Sequence, residues 1–263
     1  MQFIKTESES IIQPLRHKLY QEFVGPLDGM WEALYIAQSE TYLIKTESNT
    51  IGYCCIDAEN SLTQIYLEVP FKYLMNATIG DLITSKHIRS AKLSSIEVVS
   101  FNACLLHSKS IESDTINYQY TNNPSQNNTK ETIALRTAEP KDVASIQSFY
   151  KNEIGFDDQF GYVKNLVHRK ELYLAESSNS IIATGECRLS ETQPKYADIG
   201  MAVKQAERKK GIGTKMLLAL AKTAQEKNRF PICSTTIDNI ASQKAIEKAG
   251  LYRTHIIFNI NFW

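Results

Sequence analysis

The chain has 263 residues, enough for one large domain or two of ordinary size. Its 29 Lys and Arg balance 29 Asp and Glu, so no whole-chain electrostatic case exists for nucleic acid or an anionic membrane as partner. No apolar run is long enough to span a bilayer, and the opening MQFIKTESES lacks the apolar core of a signal peptide, which together point to a cytoplasmic protein.

Five cysteines (Cys54, Cys55, Cys104, Cys187 and Cys233) form no CxxC pair and read as reduced, mostly buried thiols. Along the chain, the first clear pattern begins at Tyr42: YLIKTESNTIGYCCI reads as two strands around a Ser48-Asn49 turn. A strand ending at Val69 follows, TQIYLEV. Met75, Ile79, Leu82 and Ile83 then mark a helix, SSIEVVSF (94–101) reads as a further strand, and INYQY (116–120) as another. TNNPSQNNTK (121–130) carries no large apolar side chain and reads as a linker.

The second half repeats the first. YLAESSNSIIATGEC from Tyr173 is a hairpin around Ser178-Asn179, 130 residues after its counterpart. ADIGMAV ends a strand at Val203, Leu217, Leu220, Ala221 and Ala224 mark a helix, PICSTTI (231–237) reads as a strand, and IIFNINFW (256–263) as the last one. A period this long indicates a duplicated domain, and the expected boundaries are 1–120, a linker at 121–130, and 131–263.

The copies differ at AERKKGIGTKML (206–217). A helix start carries N–H groups with no intrahelical partner, and two glycines there let an anion approach the backbone. The same turn could also be a solvated one with its lysines in water. Gly211 and Gly213 stand eight and ten residues after Val203; the same offsets from Val69 hold Ala77 and Ile79, Leu74 matches Arg208, and Pro70 follows Val69 directly. The anion site thus belongs to the second half. A dinucleotide fold would need a third glycine where Met216 stands, and a P-loop motif is absent.

Val203-x4-Arg208-x-x-Gly211-x-Gly213 resembles the acetyl-CoA signature of the GNAT superfamily of N-acetyltransferases. RTAEPKDVASIQSFY (136–150), with Asp142 opening a helix, is similar to the family's first strand and helix, and DNIASQKAIEKAGL (238–251) to its C-terminal motif. The resemblance covers 131–263, with residues 1–120 as a degenerate copy. It implies a mixed α/β (α+β) fold of two tandem GNAT-like domains, each a mostly antiparallel sheet flanked by helices.

The resemblance further implies acetyl-CoA as co-substrate and an amine acceptor not named by the sequence. The alternative is a non-catalytic CoA-binding sensor or regulatory module. Gly211, Ile212, Gly213 and Thr214 would hold the pyrophosphate by their N–H groups, with Arg208, Lys209 and Lys210 adding charge. The two lysines could equally be a solvated face. Met201 and Val203 would bind the pantetheine arm through their backbone, with Asn239 and Ser242 on the far side; Asn239 could also be only a cap. Asp198 is the first candidate for a general base and Glu186 the second, and Gln64 replaces Asp198 in the first half. The family's usual Tyr acid falls at Ile246, leaving Tyr252, Tyr196 or Cys233, or unassisted departure of the thiolate. Asp157 and Asp158 could attract an ammonium. Cys187 reads as a buried structural thiol. The assembly expected is a monomer with an intrachain pseudo-dimer, or a homodimer.

Overall fold

A computed structural model describes residues 1–47, 49–121, 133–178 and 180–263, the side chain of Leu34 excepted. Ser48, Asn179 and nearly all of the expected linker lie outside the described residues, so the two Ser-Asn turns are described only in part. The elements in chain order are β1 (Gln2–Lys5), α1 (Glu9–Glu22), α2 (Gly29–Trp31), β2 (Glu40–Lys45), β3 (Thr50–Ile56), β4 (Ser61–Leu67) and α3 (Met75–Ser85). Next come β5 (Ser90–Ser94), α4 (Val98–Leu106), β6 (Ser108–Tyr120), β7 (Arg136–Thr137), α5 (Val143–Ile154), α6 (Tyr162–Arg169) and β8 (Leu172–Ser177). The chain closes with β9 (Ser180–Leu189), β10 (Tyr196–Val203), α7 (Ile212–Glu226), β11 (Phe230–Thr236), α8 (Ile240–Lys248) and β12 (Leu251–Phe262).

These elements form two compact units, residues 1–117 with 254–263 (unit 1) and residues 118–253 (unit 2). In unit 1 the strand order is β1-β2-β3-β4-β5-β12-β6. Neighbours β1 to β4 pair antiparallel, as do β5 and β12, while β4 and β5 run parallel. The central strand β3 is buried on both faces, its residues divided between two separate cores. Ile51, Cys54 and Ile56 pack with residues of α3 and α4, and Tyr53 and Cys55 with residues of α1.

Unit 2 orders its strands β6-β11-β10-β9-β8-β7, with only residues 118–120 of β6 contributing. Helix α7 lies on one face: a Cβ at Gly185 of β9 would stand 2.8 Å from Leu220 and Met216. Helices α5 and α6 cover the other face, where Tyr150 and Tyr162 reach Glu186 of β9. Asp142 precedes α5 as expected. Its carboxylate accepts from Arg136 and from the Glu139 N–H, and the Arg136 hydrogen bonds, outweighing a small burial cost, hold it down to about 2.

Two expectations fail. Residues 94–101 are not a strand: β5 ends at Ser94, a turn comes next in which Glu97 Oε1 accepts from the Ser94 N–H at 2.9 Å, and α4 begins at Val98. The β-branched run looked strand-like, but burial of Ser100, Ala103 and Cys104, three and four residues apart, follows the helical period. Residues 254–263 belong to unit 1 and not with the second half. Their apolar residues decide this, since Ile257, Ile260 and Phe262 enter the unit 1 cores while the strand pairs with β5 from Ser94 to Ser90.

Candidate active site

In unit 2, β10 and β11 run parallel and pair over Tyr196–Asp198 with Phe230–Ile232. Beyond that register β10 continues to Val203 and β11 to Thr236, so a wedge opens between them. Lys204 donates to the Ile182 carbonyl of β9, so alternation turns the N–H groups of Met201 and Val203 the other way, along the wedge.

The turn after β10 has the geometry of an anion cradle. Lys209 (φ 64°) and Gly211 (φ 80°) both adopt left-handed backbone, and α7 starts at the next residue, Ile212. No atom lies within 4 Å of where a Gly211 Cβ would stand, so the backbone angle, not crowding, calls for glycine. Helix geometry leaves the N–H groups of Ile212, Gly213 and Thr214 without intrahelical acceptors. Gly213 answers to packing: a Cβ there would meet Met201 Cε at 3.2 Å and Sδ at 3.3 Å.

Arg208 braces the turn. Its Nε donates to the Val203 carbonyl at 3.1 Å and its Nη2 to the Glu153 carbonyl at 2.6 Å, which fastens the loop to the ends of β10 and α5. Lys210 pairs with Glu207 at 3.0 Å, and Lys209 is exposed. Across the wedge, Asn239 caps α8 by accepting from the Ser242 N–H at 3.1 Å. Gln243, not singled out in the sequence, is buried and donates to the carbonyls of Ile237 (2.7 Å) and Thr236 (3.2 Å), tying α8 to the end of β11. Its one sequence signal is a polar residue on the apolar side of an amphipathic helix.

The two candidate bases are placed differently. Asp198 is 2% exposed and lies in the part of β10 still flanked by β11, with Arg188 as its cross-strand neighbour on β9. Glu186 lies opposite Gly200, where the missing side chain leaves its Oε2 3.9 Å from a hypothetical Cβ. Glu186 accepts from the Tyr150 hydroxyl at 2.9 Å and the Tyr162 hydroxyl at 2.6 Å, and pairs with Arg188 at 3.4 Å. Burial first, and the adjacent carboxylate second, push the Tyr150 hydroxyl well above its ordinary range, so it stays a donor. Phe156 packs edge-on against both phenols, at 6.0 Å from Tyr150 and 5.8 Å from Tyr162. These aromatic partners of Glu186 were not foreseen. They come from two helices joined by a loop, and nothing in local sequence links them.

Other expectations resolve structurally. Asp158 is a cap: its carboxylate accepts from the N–H groups of Tyr162 and Val163 and from Gln147. Burial works to raise its pKa, but those hydrogen bonds together outweigh it and hold it below the usual range. Asp157 pairs with Lys151 at the surface. Burial pushes the Cys187 thiol up to about 11, as suits an inert core residue. Tyr196 starts β10, about 23 Å along the strand from Val203, and lines a separate cavity with Tyr252. Ile246 and Cys233 are both buried.

The comparisons with known proteins agree with this geometry. Residues 8–121 match a domain described as "Acetyltransferase (GNAT) domain", and residues 135–251 one described as "Acetyltransferase (GNAT) family". A solved acetyltransferase from the GNAT family of Colwellia psychrerythraea is 29% identical, with each chain covered in full and a TM-score of 0.94. A tandem GNAT protein from the clavulanic acid biosynthesis pathway shares the fold at 12% identity, covering 99% of this chain and 98% of its own, with a TM-score of 0.63. A GCN5-related N-acetyltransferase from Sphaerobacter thermophilus does so at 15% identity, over 89% and 83% of the two chains, with a TM-score of 0.60. No curated protein matches the sequence. Among the described residues no helix is long and apolar enough to cross a membrane. With the signature turn, the parting strands and both halves matched, the chain belongs to the GNAT acetyltransferases, as two GNAT domains in tandem, and is an acyltransferase.

Proposed function

We propose that unit 2 transfers an acetyl group from acetyl-CoA to a primary amine by direct attack. The observation that carries the reading is the wedge between β10 and β11, with a left-handed glycine turn at its mouth and a tyrosine-held carboxylate beside it. The GNAT family uses acetyl-CoA as co-substrate, and the turn offers what a diphosphate needs: unpaired N–H groups at Ile212, Gly213 and Thr214, near Lys209 and Lys210. The amides of a pantetheine arm find the N–H groups of Met201 and Val203, as a strand would at a sheet edge. Asn239 and Ser242 bound the opposite side.

An amine enters as an ammonium and must lose a proton before its lone pair can attack. Glu186 takes that proton. Its hydrogen bonds from Tyr150 and Tyr162 fix the carboxylate, while its side chain is still 15% exposed. Asp198, at 2%, is out of an amine's reach unless the sheet opens. The nitrogen forms a bond to the thioester carbonyl carbon, the Val203 N–H donates to the developing oxyanion, and the carbon–sulfur bond breaks with its electron pair on sulfur. A thiolate is a good enough leaving group to depart without a donor at Ile246. That buried isoleucine favours the second reading, a CoA-binding module without turnover. Thiol release over a panel of amines separates the two: release with any amine supports transfer, and acetyl-CoA binding without release supports the module.

A further inference from the structure

Unit 1 keeps the parting strands and loses the phosphate cradle. Its β4 and β5 pair only at Ser61 with Ser90 and at Leu62 with Ala91, and β4 then runs on to Leu67. In place of a left-handed glycine turn comes a 3-10 turn over Val69–Leu74 with Pro70 as its second residue. A proline there removes an N–H, and no glycine lies between Val69 and α3. A diphosphate has nothing to bind.

The space is nonetheless kept open. A cavity of about 420 Å³ lies where β4 parts from the chain beyond β5, walled by Leu19, Phe23, Ile65, Leu67 and Met75. Small-molecule sites occupy roughly 300–1,000 Å³. Glu97 lines this cavity at 4% exposure. Its Oε1 accepts from the Ser94 N–H at 2.9 Å, while its Oε2 is buried with no hydrogen-bond partner. Oε1 holds the turn at Ser94, and Oε2, left buried without a partner, costs about 1–3 kcal/mol that a ligand's donor would recover. The other charged lining groups, Glu22 and Lys72, already satisfy each other at 2.6 Å.

We propose that unit 1 is a binding site for a small organic amine, whose ammonium pairs with Glu97 Oε2 while its apolar body fills the cavity between α1 and β4. Burial keeps the free Glu97 carboxyl protonated up to about pH 8. An amine that enters as its free base takes that proton, and the resulting ammonium pairs with the carboxylate. A phosphate or carboxylate ligand meets no unpaired cation, Lys72 being held by Glu22. The ionisable groups around Glu97 are Glu22 on α1, Tyr66 on β4, Lys72 in the 3-10 turn and Cys104 on α4. The site is independent of the acetyl-CoA site of unit 2, and the proposal stands whether or not unit 2 turns over.

The test is isothermal titration of the full chain with 2-phenylethylamine, with 3-phenylpropionate as the anion of matching shape. The wild type should bind the amine and not the acid. Glu97→Gln should weaken amine binding at least tenfold, and so should Val99→Arg, which puts a cation on a half-exposed lining residue at no cost to the core. Glu186→Gln, in unit 2, should leave binding in unit 1 as it was. No binding at millimolar amine, equal binding by Glu97→Gln, or loss in Glu186→Gln alone would overturn the proposal; the last result would place the amine at the acceptor site of unit 2. The acyltransferase reading is checked separately, through acetyl-CoA and Gly211.

Discussion

The pH dependence of unit 1 stability should be set by two buried groups of opposite sign, and Glu97→Gln separates them. Burial pushes the Glu97 carboxyl from 4.5 up to about 8, with the Ser94 N–H working weakly against it. Above pH 4.5 the unfolded chain has released this proton while the folded one still holds it, so stability falls as pH rises, at about 1.4 kcal/mol per pH unit, until about pH 8. Burial holds His255 from 6.5 down to about 4, against a small opposing pull from Asp28. Between those values the unfolded chain binds the extra proton, so stability rises with pH at the same slope. In the wild type the two slopes cancel from about pH 4.5 to 6.5, and a fall of roughly 2 kcal/mol comes between there and pH 8. Glu97→Gln removes the falling limb. Its stability should climb to pH 6.5 and then stay level, with a gain over wild type at pH 7 of up to about 3 kcal/mol, less if water enters the cavity. Urea unfolding followed by tryptophan fluorescence reads this unit alone, because Trp31 and Trp263 both belong to it. Parallel profiles for wild type and variant, with the fall above pH 6.5 intact in both, would refute the reasoning.

In unit 2, Gly211→Asp should abolish acetyl-CoA binding with circular dichroism unchanged, since it adds a negative charge and a left-handed strain of about 1–2 kcal/mol at the cradle; undiminished binding sinks the cofactor assignment. Ala77→Asp, the matching change in unit 1, should leave that binding as it is. Glu186→Gln should lower amine turnover about a hundredfold with acetyl-CoA affinity retained, and a larger loss in Asp198→Asn would return the base role to Asp198. Gln243→Ala leaves the carbonyls of Thr236 and Ile237 without their donor. It should cost unit 2 about 1–3 kcal/mol in a denaturant titration and weaken acetyl-CoA binding with it.

The features legible in sequence alone were local. Gly211 announces itself because only glycine takes φ 80° without cost, and α7 and α8 because their apolar residues recur at the helical period. The duplication, the hairpins and the loss of the cradle at Ala77 and Ile79 are likewise matters of neighbouring residues and counted offsets. Helix α1 was missed: Pro14 inside it argues against a helix, and three buried residues, Ile12, Leu15 and Leu19, settle it only through contacts with β3 and β4. Ser94–Phe101 shows the limit from the other side. Ile96, Val98 and Val99 favour a strand in isolation, and the turn at Glu97 with the packing of Ala103 and Cys104 makes a helix of Val98–Leu106. That residues 256–263 form a strand was legible. That they complete the sheet of unit 1 was not, because the open edge of β5 lies more than 150 residues earlier. Arg208, expected to add charge beside the pyrophosphate, reaches two backbone carbonyls, one of them 55 residues away at Glu153. The surroundings of Asp198 and Glu186 are of the same kind: both are acids on adjacent strands, and only the fold shows the first buried and the second holding two phenols brought in from α5 and α6. Propensity and periodicity are properties of a segment, so the sequence carries them openly; burial, reach and pairing depend on residues far apart in the chain, and exist only once the fold has brought them together.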